Sequence, residues 1–140
     1  MNFNTQVCTT REQSERLLAL GLKKDTADMY LTRRFVGNNG TPMIFIGTTH
    51  KPSTVLFSKE DIPAWSLHRL VALCPIEIEN IVGNDKILFS INQIGAYFDD
   101  WSGTLKFFES KDTLFDNLID CIEWLINNNH FNKQYLNQKL

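Results

Sequence analysis

From Ile76 to Glu109 the chain reads as short strand-like runs divided only by tight turns, and no other feature limits its fold so strongly. Ile76-Glu77-Ile78-Glu79 alternates apolar and acidic residues. Lys86-Ile87-Leu88-Phe89-Ser90-Ile91, Ala96-Tyr97-Phe98 and Thr104-Leu105-Lys106-Phe107-Phe108-Glu109 follow. The turns fall at Val82-Gly83-Asn84-Asp85 and Asp100-Trp101-Ser102-Gly103. Parallel neighbours need a crossover of about a dozen residues or more, and none separates these runs. An antiparallel meander is expected. Upstream, Arg34-Phe35-Val36 and Met43-Ile44-Phe45-Ile46 flank Gly37-Asn38-Asn39-Gly40-Thr41-Pro42, a loop rich in residues that accept positive φ. That predicts a hairpin, with Thr54-Val55-Leu56-Phe57 as one more short strand.

Three segments carry helical spacing instead. In Thr9–Gly21, Thr10 and Gln13 make a capping box, Gly21 supplies a left-handed stop, and Leu17, Leu18 and Leu20 form a short apolar stripe. In the second, Pro63 forces Ile62 towards an extended conformation, so the helix is expected to begin near Pro63 or Ser66. Leu67, Leu70, Val71 and Cys74 then fall on one face, and Pro75 ends it. The third and longest is capped by Ser110 or Asp112 and carries Leu114, Phe115, Leu118, Cys121, Ile122, Leu125 and Ile126 on a wide stripe. Asp25–Tyr30 reads as a single turn capped by Asp25. The expected fold is α+β: one antiparallel sheet of about five or six strands with these helices packed on one face. Residues 1–140 make one globular domain, with 131–140 a frayed or docking tail.

Hydrophobic residues at 43% and charged residues at 21% place the chain among globular proteins. No apolar run approaches the roughly 20 residues of a membrane span. Met1–Gln6 lacks the layout of a secretory signal, so a cytoplasmic protein is expected. Cys8, Cys74 and Cys121 are odd in number and irregularly spaced, which is neither a disulfide framework nor a zinc pattern. His50, His68 and His130 add no close pair, so neither metal nor cofactor is expected. Charge is uneven: residues 1–60 hold eight Lys/Arg against five Asp/Glu, and residues 61–140 hold six against eleven. Opposite poles favour head-to-tail or heteromeric association and argue against a whole-surface nucleic-acid footprint.

Four clusters bear on chemistry. Trp65, Ser66, His68 and Arg69 crowd together, and a small enzyme would use a pocket beside this helix, with His68 acting alongside Asp28 or Tyr30. Ser66 and His68 are two apart and diverge on a helix, so Ser66 is better explained as its N-cap. Asp99, Asp100 and Glu109 offer carboxylates, yet adjacent strand residues face opposite sides. Lys23, Lys24, Arg33 and Arg34, with Tyr30 and Phe35 interleaved, would make a weak nucleic-acid surface. Surplus aromatics mark a protein contact instead: Trp101, and Trp124, which lies off the main stripe of its helix.

Three phrases carry a resemblance: Cys8-Thr9-Thr10-Arg11-Glu12-Gln13-Ser14 running into Leu17–Leu22, Asp25-Thr26-Ala27-Asp28-Met29, and Pro63-Ala64-Trp65-Ser66-Leu67, with Cys121-Ile122-Glu123-Trp124-Leu125 as a fourth. In these the chain resembles small uncharacterised bacterial proteins associated with phages and other mobile elements. The resemblance implies that setting and a single-domain architecture, and carries no activity. The expected function is therefore that of an accessory or adaptor protein acting through protein contacts, including contacts with itself as a homodimer.

Overall fold

Thr10 opens the first helix, α1 (Arg11–Ala19), through the predicted box. Its hydroxyl accepts from the Gln13 N–H at 3.2 Å, and the Thr10 N–H donates to Gln13 Oε1 at 3.0 Å. Two of the four N–H groups that any helix start leaves without a helical partner are satisfied this way. Gly21, at φ +101°, turns the chain out of the helix in the left-handed region that glycine enters without strain. The computed structural model containing these elements describes residues 6–36, 41–48, 61–79, 86–92, 95–100, 103–109 and 113–138.

The chain divides into two compact units, Met1–Arg69 with Tyr135–Leu140, and Leu70–Gln134. In the first, a 3₁₀ turn at Lys24–Thr26 leads into β1 (Met29–Val36), which pairs antiparallel with β2 (Thr41–Thr48). The expected hairpin is present. The turn comes one residue earlier than Asp25, and its cap position, Lys23, makes no side-chain cap hydrogen bond. Met29 and Tyr30 belong to the strand, because their backbones pair with Thr48 and Gly47 on one side and Ala64 and Pro63 on the other. That second partner is β3 (Ile62–Ala64), followed by α2 (Leu67–Leu73). The proposed strand at Thr54–Phe57 lies outside the described residues. Cys8, Leu31, Ile62 and Ala64 form the buried centre of this unit, with Leu18 and Met29 packed against it.

The second unit holds the meander: β4 (Glu77–Glu79), β5 (Lys86–Ile91), β6 (Gly95–Asp100) and β7 (Gly103–Glu109), each antiparallel to the next. Against β6 and β7 packs α3 (Leu114–Asn127). Its buried side is the expected stripe widened by two residues: Phe115, Asn117, Leu118, Ile119, Cys121, Ile122 and Leu125. The cap is Thr113, whose hydroxyl accepts from the Asp116 N–H at 3.2 Å and donates to Asp116 Oδ2 at 2.9 Å. The expectation of Ser110 or Asp112 is corrected accordingly. Phe98 is fully buried, with its ring 5.3 Å from Phe89 and 5.8 Å from Trp124.

The α+β class and the antiparallel pairing are as the sequence predicts, but the single sheet of five or six strands is not. The strands form two sheets, ordered β2-β1-β3 and β4-β5-β6-β7. One physical reason lies at the outer edge of β3. Pro63 has no N–H to offer another strand, which confines such a residue to a sheet edge. Just beyond it the Trp65 backbone is taken by Thr9: Thr9 N–H donates to Trp65 O at 2.9 Å, and Trp65 N–H donates to Thr9 Oγ1 at 3.0 Å. A three-residue strand closed in this way cannot extend its ladder. Residues 133–138 dock on the first unit's own chain, with Lys23 N–H donating to Tyr135 O at 2.9 Å and Asn137 N–H to Gly21 O at 2.7 Å.

Candidate functional site

The three phrases that carry the resemblance come together in the first unit. Cys8 bridges Ser66 as an isolated antiparallel pair, which lays Thr9 alongside Trp65. Trp65 is fully buried, and burying an indole without a partner for its N–H would cost free energy. Here Nε1–H donates to Thr26 Oγ1 at 3.0 Å, and Thr26 passes its own proton to Lys23 O at 2.7 Å. Thr9 Oγ1 shares a 2.8 Å hydrogen bond with Ser14 Oγ. Thr9, Ser14 and Thr26 are all buried, so this is a polar network inside an apolar surround, where each satisfied bond fixes one arrangement of the backbone.

Asp28 extends the network to α2. Its Oδ1 accepts from the Ser66 N–H at 2.9 Å and its Oδ2 from the Ser66 hydroxyl at 2.5 Å. Ser66 Oγ in turn accepts from the Arg69 N–H at 3.1 Å, which makes it the helix cap that the spacing predicts. A carboxylate at this end is favoured by the exposed N–H groups there. Burial, and after it the nearby Asp28 charge, pushes the Cys8 thiol above its ordinary value, so this cysteine is held as a thiol rather than a thiolate. The arrangement fastens the start of α2 to β1 and to the segment preceding α1. Replacing Ser66 with alanine should therefore remove about 2 kcal/mol of stability, combining the lost cap with a hydrogen bond to a charged partner. A urea titration in which Ser66→Ala matches the parent within about 0.5 kcal/mol would show that the hydroxyl fastens nothing.

Of the five residues named for a pocket, Asp28, Trp65 and the Arg69 backbone are joined here, through Ser66. His68 is exposed on α2, and Tyr30 is half-buried on β1 opposite Pro63. Thr9, Ser14 and Thr26 were not singled out as site residues, and the only sequence signal for them is their place inside the resembling phrases. Lys23 is half-buried and Lys24 exposed. Arg33 and Arg34 lie on β1, and His50 and Trp101 fall outside the described residues. Asp99 is half-buried on β6 opposite Leu88. Among the described residues no group of three or more His, Cys, Asp or Glu is arranged to hold a metal ion, and no helix is long and apolar enough to cross a membrane.

The second unit has a different kind of feature. Ile76 is 82% exposed and Leu88 50% exposed. They are neighbours across the β4–β5 ladder: Phe89 N–H donates to Ile76 O at 2.8 Å, and Leu88 pairs with Glu77. Together they make an apolar corner at an edge of the four-stranded sheet. Trp124, named as a contact residue, is half-buried, its indole 5.8 Å from Phe98 and 5.6 Å from His130. Cys121 is fully buried, and its thiol is pushed up first by a hydrogen bond with Cys74 and then by burial. Cys74 also donates to Leu70 O at 3.4 Å. Compared with protein-family models, with curated proteins and with solved structures, the chain matches none.

Proposed function

We propose that the protein is a non-catalytic contact module, an accessory or adaptor that works by presenting the Ile76–Leu88 corner of its second unit to another protein. The observation that carries this reading is the exposure of two large apolar side chains side by side in one ladder. Single exposed apolar residues are ordinary on any surface, whereas adjacent ones are a cost that association removes. Full burial would return about 1.5–3 kcal/mol for each side chain. The polar cluster around Asp28 supports the same reading, since its carboxylate and the Ser66 hydroxyl are bound to each other and to the backbone. Its groups hold the fold together. A phage or mobile-element setting, as the resemblance implies, suits a small protein whose work is to join others.

Ile76→Asp with Leu88→Asp tests the reading. Both positions are surface, so the denaturation midpoint should move by no more than about 0.5 kcal/mol for each. In extracts of the native cell the parent protein should retain a partner that the double variant releases. Equal retention by the two proteins would sink the proposal.

A further inference from the structure

We infer that the partner of this corner is a second copy of the chain, docked head to tail, with the acidic second unit of one molecule on the basic first unit of the next. The inference rests on the contact reading above and specifies its partner. Its ground is the way charge follows the division of the fold. Residues 1–69 and 135–140 hold ten Lys/Arg against six Asp/Glu, while residues 70–134 hold four against ten, so the units carry +4 and −6. The boundary between the units separates the charge more sharply than any division at the middle of the sequence.

The corner repeats this asymmetry locally. Leu88 pairs with Glu77 on one side and Asp99 on the other, so the exposed leucine stands in a row between two carboxylates. A two-fold dimer through this surface would set each acidic row against its own copy, and facing like charges disfavours such a contact. A contact between unlike surfaces avoids that repulsion and lets the +4 unit face the −6 unit. The first unit also carries an exposed large apolar residue of its own, Val7, at 54%. Each copy therefore offers one apolar point on a basic unit and an apolar corner on an acidic one. A contact of this type leaves a free surface at each end of every pair, so it continues into rings or filaments.

The test uses the whole chain in sedimentation velocity. The parent protein should form species larger than a dimer at about 50 mM salt, and these should dissociate by about 500 mM as screening shortens the reach of the charges. Val7→Asp and Leu88→Asp should each be monomeric alone. Mixed in equal amounts they should form a dimer and nothing larger, since each retains the surface that the other has lost. Self-association of Val7→Asp equal to the parent would overturn the head-to-tail arrangement. A parent protein that stays monomeric at low salt would overturn the second copy as partner, while the extract comparison with Ile76→Asp and Leu88→Asp decides the contact reading by itself.

Discussion

Trp65→Ala should lower the stability of the first unit by about 3–5 kcal/mol, the range for deleting a large buried aromatic side chain. Trp65 is the largest of the fully buried side chains. Its loss empties the space between the segment before α1, the 3₁₀ turn and the start of α2, and it leaves Thr26 Oγ1 without the indole donor. Against the roughly 5–15 kcal/mol that separates folded from unfolded domains, this is a large share. Trp65→Phe keeps most of the packing volume and removes only the N–H, so it should cost about 1–2 kcal/mol. Circular dichroism through a urea titration reads both, without depending on the fluorophore being removed. Should the alanine variant fail to fold, the phenylalanine variant still measures the hydrogen bond. A loss below about 1 kcal/mol for Trp65→Ala would mean that the network does not hold the unit together.

Phe98→Ala should be comparably damaging to the second unit. Phe98 has no exposed surface and lies between Phe89 on the neighbouring strand and Trp124 on α3. Removing the ring costs about 3–5 kcal/mol for the cavity and transfer, and each aromatic contact adds about 0.5–1.5 kcal/mol beyond buried area. Phe98→Leu should recover more than half of that loss. Because the substitution loosens the contact beneath Trp124, the near-ultraviolet circular dichroism of the variant should weaken before its far-ultraviolet signal does. Unchanged near-ultraviolet intensity in Phe98→Ala would show that α3 is not held on β6 through this ring. The two units need not unfold together, so each variant is best followed by a probe in its own unit.

Most of the local architecture was legible because its causes are local. Thr10 and Gln13 are three residues apart, and their reciprocal hydrogen bonds need nothing from the rest of the chain. The stripe of α3 and the meander of β4–β7 follow from periodicity in the same way. The failures have longer causes. Three polar residues in a row, Lys111 excepted, competed to cap α3, and only the hydrogen bond to Asp116 selects Thr113. The division into two sheets depends on Pro63 and Thr9, residues 54 positions apart in a sequence that gives no sign of their meeting. The Asp28–Ser66 and Trp65–Thr26 hydrogen bonds span 38 and 39 residues, which no spacing rule reaches. At Ile76-Glu77-Ile78 alternation places both isoleucines on one side, yet Ile78 is 5% exposed and Ile76 82%. How far the covering layer extends is a property of the folded unit.

The return of Tyr135–Gln138 to Gly21–Lys23 sets an order on synthesis. Translation proceeds from the N-terminus, and the whole of Leu70–Gln134 is made before the tail that pairs beside Leu22 exists. The earlier-made unit is thus the later one to be finished. During that interval the backbone of Lys23 and Gly21 waits for its partners, while the meander and α3 already have all of theirs.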